Sequence, residues 1–209
     1  MKHPVLKLYY SPGACALASH IALEEAGADY EIQKVDLRQG EQKTPEYLAI
    51  NPAGSTPALV TDEGVLTENL VIMGYVAQTH PEARLADNDS SFNFGKMQSF
   101  NGFLASSLHP AVSKVLFARP ALEGEAHQAA LDLALSRYRI VEDSLFKGPW
   151  ATGECYTVAD GYLVVFTRWG RQAGFLTPEA FPRLNDHLDR VQARPAVQRV
   201  LAAEGVAVI

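Results

Sequence analysis

Strand signals in this chain are confined to its first 80 residues. There, short apolar or aromatic runs of strand length alternate with segments whose apolar residues recur at helical spacing. A polar stretch follows at residues 81–91, and after it strand patterns largely give way to helical periodicity. We therefore predict a small α/β domain at residues 1–80, a linker at 81–91 and an all-helical domain at 92–209.

The first 80 residues predict the element order βαβαββα. Strands are expected at residues 5–10 and 30–37 and in a hairpin of residues 58–60 and 65–66. Helices are expected at residues 15–26, in a short segment that begins after Thr44, and at residues 68–79. Gly27 is a natural stop for the first helix, and Thr44 is a natural N-cap for the second. These signals are local, so they fix the elements but not how they pack.

The second half carries one specific folding signal. Residues 157–160 read TVAD, the pattern of a capping box, in which Thr157 and Asp160 satisfy each other's backbone N–H groups. The segment that follows, residues 158–169, is almost wholly apolar. We therefore expect a central, buried helix that begins after Thr157.

Charge and cysteine content limit the functional classes. The net charge is −6, which argues against a nucleic-acid or anionic-membrane partner. The sequence contains no apolar run of the ~18 residues that a membrane span needs, and its first residues lack a signal-peptide core. The cysteines, Cys15 and Cys155, lie far apart. A disulfide framework is therefore not indicated, and a cytoplasmic protein is expected.

Cys15 is the leading candidate for chemistry. It follows the run YYSPGA, where a strand is expected to turn into a helix. A thiol at the first turn of a helix faces unpaired N–H groups, which favour the reactive thiolate. The alternative is a buried cysteine that acts as a small hydrophobe. No second cysteine completes a Cys-x-x-Cys motif, so an oxidised form would be a sulfenic acid or a mixed disulfide with an external thiol.

Two further pairs are candidate ligand contacts. Thr56-Pro57 precedes a strand; a cis bond there would free the Thr56 backbone for a peptide-like ligand, whereas a trans proline at a strand edge would be ordinary. Glu68-Asn69 opens a helix. Glu68 either complements the helix dipole or binds a ligand ammonium, while Asn69 and the helix N-terminus would take a carboxylate.

The helical half offers weaker candidates. His109 precedes Pro110 in a predicted helix, so it either lies at a kink or presents an imidazole to the thiol. We expect Cys155 to be buried and structural. His20, in the first predicted helix of the α/β domain, is expected to pack or to lie at the surface.

Four segments together resemble the glutathione S-transferases, and most closely the bacterial beta class. They are LYYSPGAC at residues 8–15, LAINP at 48–52, LTEN at 66–69 and TVAD at 157–160. The first is the most specific, because it places cysteine where other classes of the family use tyrosine or serine. The resemblance covers essentially the whole chain.

The resemblance implies a fold, a ligand and a set of site residues. The fold would be a thioredoxin-like glutathione-binding domain followed by an α-helical bundle, assembled as a homodimer. Glutathione would be the co-substrate, without a metal, and a small hydrophobic electrophile the second substrate. The implied site residues are Cys15 and His109 for catalysis, and Cys15, Thr56, Pro57, Glu68, Asn69, Ser106 and His109 for glutathione. Pro57 would be cis, and the Thr56 backbone would pair with the cysteinyl part of glutathione.

The sequence departs from the beta-class pattern at several positions. Ala16 replaces a common serine, Pro110 a lysine and Gly102 an asparagine, and the lysine-rich stretch reads QGEQK at residues 39–43. Three functional interpretations therefore stand side by side. They are conjugation of glutathione to an electrophile, glutathione-dependent thiol transfer or dehalogenation through Cys15, and a non-catalytic binding or interaction protein of the same fold.

Overall fold

The computed structural model describes residues 6–87 and 90–209, and Val5 and residues 88–89 of the predicted linker lie outside them. The N-terminal elements occur in the predicted order, confirming the fold class. They are β1 (Leu6–Tyr10), α1 (Leu17–Glu25), β2 (Tyr30–Lys34), α2 (Pro45–Leu48), β3 (Ala58–Val60), β4 (Val65–Thr67) and α3 (Asn69–Thr79). Thr44 caps α2 as predicted, and its hydroxyl accepts a hydrogen bond from the Tyr47 N–H.

The four strands form one mixed sheet in the order β2-β1-β3-β4. β1 runs parallel to β2 and antiparallel to β3, and β3 and β4 form the predicted hairpin. In β1, Leu6, Leu8 and Tyr10 are buried, whereas the alternate residues are half-exposed. This alternation directs one face of β1 into the core.

The elements that follow residue 90 are helical. They are α4 (Ser91–Phe103), a π-helical segment (Leu104–Leu108), α5 (His109–Leu116), α6 (Gly124–Ile140), a second π-helical segment (Val141–Leu145), α7 (Val158–Gln172), α8 (Pro182–Gln192) and α9 (Pro195–Glu204). Every residue of α7 from Val158 to Gly170 is buried, so α7 is the central helix that the sequence predicts. The capping box is present: Asp160 accepts from the Thr157 N–H at 2.8 Å, and the Thr157 hydroxyl accepts from the Ala159 N–H.

The chain packs as two compact units. The first contains the residues up to Ala86 together with Arg194–Val208, and the second contains Asp87–Ala193 and Ile209. Thus α9, which lies within the predicted helical domain of residues 92–209, packs on α1. Arg194 pairs with Glu25 through two hydrogen bonds of 2.6 and 2.7 Å, and Arg199 pairs with Glu24. No helix within 6–87 and 90–209 is long and apolar enough to cross a membrane.

Candidate functional site

Cys15 lies in the loop between β1 and α1. The sequence placed it in the first turn of the helix, but α1 begins at Leu17 because a turn intervenes. In this turn the Ala14 N–H donates to the Ser11 carbonyl, and the Leu17 N–H donates to the Ala14 carbonyl, each at 3.1 Å. Gly13 has a φ of +67°, a conformation that glycine adopts without strain. Cys15 thus precedes the helix and is half-buried.

The immediate contacts of the Cys15 sulfur come from β3 and α3. The thiol donates a hydrogen bond to the Thr56 carbonyl, with Sγ 3.5 Å from the oxygen, and the Asn69 side chain lies beside the sulfur, where its amide favours the thiolate. Burial raises the pKa of Cys15 to about 11, and the Glu68 carboxylate adds to this rise. The hydrogen bonds from Asn69 and nearby backbone groups oppose it but do not reverse it. The expectation of a lowered pKa is therefore wrong, because desolvation outweighs the helix end.

Thr56 presents its backbone to the same place. The Thr56–Pro57 bond is cis, as the resemblance implies. The preceding loop is fixed because the Tyr47 hydroxyl and the Asn51 amide both donate to the Ser55 carbonyl at 2.7 Å. Within residues 6–87 and 90–209, the Thr56 N–H has no hydrogen-bond partner. One backbone donor beside Cys15 is thus available to a peptide-like ligand.

Glu68 and Asn69 form the junction of β4 and α3. Glu68 is exposed and has a φ of +70°, a left-handed conformation that costs free energy for a residue other than glycine. Asn69 is buried and accepts a hydrogen bond from the Ser19 hydroxyl. The first N–H groups of α3 also face this junction. Cys15, Thr56, Glu68 and Asn69 are therefore brought together, as predicted.

A second anchor of the Cys15 loop comes from the end of the chain. The Gly13 N–H donates to Glu204 Oε2, and His20 Nδ1 hydrogen-bonds Glu204 Oε1, both at 2.8 Å. Glu204 is the last residue of α9, and its side chain and that of His20 are almost fully buried. His20 therefore packs internally, which is one of its two predicted environments.

The helical unit holds the other two predicted residues. His109 begins α5 and is half-buried, with its ring centroid 5.2 Å from that of Phe166 and 5.6 Å from that of Trp169. Burial lowers the pKa of His109, so its imidazole is neutral at pH 7. Ser106 is exposed, and its hydroxyl donates to the Gly102 carbonyl at 2.8 Å.

Ser106 lines a small cavity of about 280 Å³ whose lining residues do not include His109. The other residues that line it are Ser107, Pro110, Ala111, Lys114, Leu133 and Arg137. The π-helical segment before His109 stands where the sequence suggested a proline kink. Ser106 and His109 thus belong to one stretch of helix but lie in different surroundings.

Comparison with known proteins identifies the family. The family models for "Glutathione S-transferase, N-terminal domain" and "Glutathione S-transferase, C-terminal domain" match residues 4–78 and 104–195. Glutathione S-transferase GstA of Escherichia coli O157:H7 is 34% identical over 203 residues, which cover 96% of this chain and all of that protein. The chain belongs to the glutathione S-transferase family.

Solved structures of transferases agree with this assignment. A glutathione transferase from Methylococcus capsulatus is 40% identical with a TM-score of 0.86, covering 96% of this chain and 99% of that one. A sphingomonad glutathione S-transferase complexed with glutathione is 39% identical with a TM-score of 0.86, covering 96% and 100%.

Two residues of this transferase family member were missed as parts of the site. Ser19 and Glu204 hold Asn69 and the Cys15 loop, respectively. Ser19 follows Cys15 by one turn of the helix that the sequence predicts over residues 15–26, a spacing that places the two residues near each other. Glu204 lies 184 residues from His20, and no local pattern indicates their pairing.

Cys155 is exposed, so the expectation that it is buried is wrong. Burial is the common state of cysteine, but residues 154–155 are exposed, and the chain is buried again from Thr157 onward. Within the described part of the chain, no group of three or more histidine, cysteine, aspartate or glutamate residues is placed to hold a metal ion.

Proposed function

We propose that this protein is a glutathione transferase that holds glutathione beside Cys15 and conjugates it to small hydrophobic electrophiles. The observation that carries the proposal is the unpaired Thr56 N–H next to the Cys15 thiol. A peptide-like thiol ligand fits this arrangement because its backbone pairs with Thr56 while its sulfur reaches Cys15.

The polar groups around Cys15 match the rest of glutathione. The exposed Glu68 carboxylate is available for the γ-glutamyl ammonium group. The N-terminus of α3, with Asn69 as its first residue, is suited to the γ-glutamyl carboxylate. Pro57 presents the Thr56 backbone to the cysteinyl residue. His109 and Ser106 remain predictions from the family resemblance.

The raised pKa of Cys15 favours conjugation over thiol transfer. At pH 7 a thiol of pKa about 11 is almost entirely protonated, whereas an ordinary thiol has a pKa of about 8.5. Of two adjacent thiols, glutathione therefore loses its proton first. The Cys15 S–H then donates a hydrogen bond to the glutathione thiolate, whose sulfur attacks the electrophilic carbon while the leaving group departs with its electron pair.

Thiol transfer is the second candidate, because the same sulfur is positioned to form a mixed disulfide. In that reaction the Cys15 thiolate attacks the disulfide of a glutathionylated substrate and releases the substrate thiolate. Free glutathione then attacks the Cys15–glutathione disulfide, restoring Cys15 and releasing oxidised glutathione. The low population of Cys15 thiolate makes this route the slower one at neutral pH.

Class, assembly and location are further parts of the proposal. A structure described as a bacterial beta class transferase, from Sphingomonas chungbukensis, is 36% identical with a TM-score of 0.85, and Cys15 matches the beta-class pattern. We assign the protein to that class. We also propose that it is a homodimer and that it resides in the cytoplasm, where its two free thiols stay reduced.

Substitutions of Cys15 distinguish these functions. Cys15→Ser keeps a hydrogen-bond donor, so we expect conjugation of 1-chloro-2,4-dinitrobenzene to stay within about tenfold of wild type. Cys15→Ala removes the donor and should lower conjugation further, since a hydrogen bond to a charged group contributes a factor of about 10 to 100. Both variants should lose turnover of a glutathione mixed disulfide. Cys155→Ser, altered at an exposed thiol outside the site, is the matched control and should keep both activities.

Binding and pH profiles complete the test. Calorimetric binding of glutathione weaker than millimolar would favour the non-catalytic interpretation. In the Cys155→Ser protein, the rate of disulfide exchange at Cys15 should rise about tenfold per pH unit between pH 7 and 10, because the thiolate fraction rises until pH reaches the pKa. A plateau already at pH 7 would contradict the proposed role of Cys15 as a neutral donor.

A further inference from the structure

A buried hydroxyl lies behind the residue that contacts Cys15. Ser19, in α1, is fully buried, and its Oγ donates a hydrogen bond to Asn69 Oδ1 at 2.7 Å. Asn69 is itself 5% exposed, and its side chain lies beside the Cys15 sulfur, where it favours the thiolate. Ser19, Asn69 and Cys15 thus form a chain of contacts between two helices and the loop.

The chemistry of the amide gives this chain a direction. An asparagine side chain has one acceptor oxygen and one donor NH₂ group. Because the Ser19 hydroxyl donates to the oxygen, the NH₂ group is the end that faces Cys15. The reverse orientation would place the amide oxygen against the sulfur and would repel a thiolate.

Two side chains have opposite effects on the stability of the Cys15 thiolate. The Glu68 carboxylate disfavours the thiolate, and the Asn69 amide favours it. The orientation of the Asn69 amide therefore affects how readily the Cys15 thiol ionises.

We propose that Ser19 is a positioning residue for Cys15, because it holds the Asn69 amide with its NH₂ group toward the sulfur. The relevance of this contact to catalysis rests on the proposed function, through the thiol-transfer route in which Cys15 reacts as the thiolate. The contact with Cys15 itself does not, since it can be measured without glutathione.

The test is thiol–disulfide exchange between Cys15 and 5,5′-dithiobis(2-nitrobenzoate) at pH 7.5 in the Cys155→Ser protein. Loss of one hydrogen bond to the thiolate raises its pKa by about one unit, which lowers the thiolate fraction tenfold. The more basic thiolate is about threefold more nucleophilic, so the net rate should fall about three- to fourfold. We expect this decrease in Ser19→Ala and in Asn69→Ala.

The double variant distinguishes positioning from a general packing defect. Ser19→Ala should have no further effect once Asn69→Ala has removed the amide, because Ser19 acts through it. Ser19→Thr keeps the hydroxyl and should restore most of the rate. Thr167→Val, which removes another fully buried hydroxyl but in α7, should leave the rate unchanged.

Several outcomes would overturn the proposal. The proposal is wrong if the exchange rate in Ser19→Ala is unchanged while that in Asn69→Ala is slow, or if the two effects multiply in the double variant. It is also wrong if the pH–rate profile of Ser19→Ala does not shift to higher pH. Failure of the proposed function is distinguishable from these results. If glutathione does not bind while the Ser19 effect is seen, the function is wrong and the positioning role stands.

Discussion

The two units each contain a buried carboxyl–imidazole pair, and the pairs have different consequences. Asp160 and His187 in the helical unit, and Glu204 and His20 in the N-terminal unit, are both joined at 2.8 Å, with side chains at most 2% exposed. The difference lies in the other contacts of each carboxyl group. Asp160 also accepts from the backbone N–H groups of Thr157 and Ala151, whereas Glu204 accepts from the Gly13 N–H.

This difference shows how one chemical pair serves folding in one place and the site in another. The Asp160 pair satisfies the start of the most buried helix, so its loss leaves several donors without partners in the core. The Glu204 pair holds a loop that carries Cys15 two residues later. We therefore expect the first pair to control mainly stability and the second to control mainly the environment of the thiol.

The largest expected effect is that of Asp160→Ala. It removes the acceptor of two backbone N–H groups and of His187, and a buried donor without a partner costs about 1–3 kcal/mol. A loss of about 3–5 kcal/mol is therefore expected, much of the stability of a typical domain. The free energy of unfolding in urea measures it. Asp160→Asn retains one acceptor oxygen and should lose less; equal stability of Asp160→Ala and wild type would contradict the folding role.

The next effect is that of Glu204→Gln. The variant keeps the size of the side chain but not both acceptor oxygens, so we expect a smaller loss of about 1–2 kcal/mol. The freed loop should expose Cys15, which lowers the pKa of its thiol and speeds disulfide exchange in the Cys155→Ser background. Calorimetry should show weaker binding of glutathione.

The opposite pattern would break the comparison. If Glu204→Gln destabilises the protein as much as Asp160→Ala while exchange and glutathione binding stay unchanged, both pairs are purely structural. Asp160→Asn is the matched reference, because any folded fraction should retain wild-type exchange at Cys15.

The smallest effect is that of Arg199→Ala, which separates the docking of α9 from the action of Glu204. The Arg199 side chain is 61% exposed where it meets Glu24, and exposed ion pairs contribute less than about 1 kcal/mol. Glu24 keeps its hydrogen bond from the Tyr30 hydroxyl at 2.6 Å. Unfolding and exchange should therefore stay near wild type. A loss as large as that of Glu204→Gln would assign the effect to α9 docking in general.

Much of the fold was predictable because its signals are local. The alternation of strands and helices, the cap at Thr44 and the capping box at Thr157 and Asp160 each depend on neighbours within a few residues. The cluster of Cys15, Thr56, Glu68 and Asn69 came from recognised segments. The pKa of Cys15 could not be predicted in this way, because desolvation depends on everything that packs around the sulfur.

The sequence by itself determined which elements form, in what order, and that a lone thiol stands where the first strand gives way to the first helix. The tertiary structure alone decided that α9 packs on α1 and that Glu204 hydrogen-bonds Gly13 and His20. It also decided that the Cys15 thiol is a weaker acid than an ordinary cysteine and that Cys155 is exposed. The physical reason is that hydrogen-bonding patterns of helices and turns depend on near neighbours, whereas burial and long-range pairing depend on the whole packed unit.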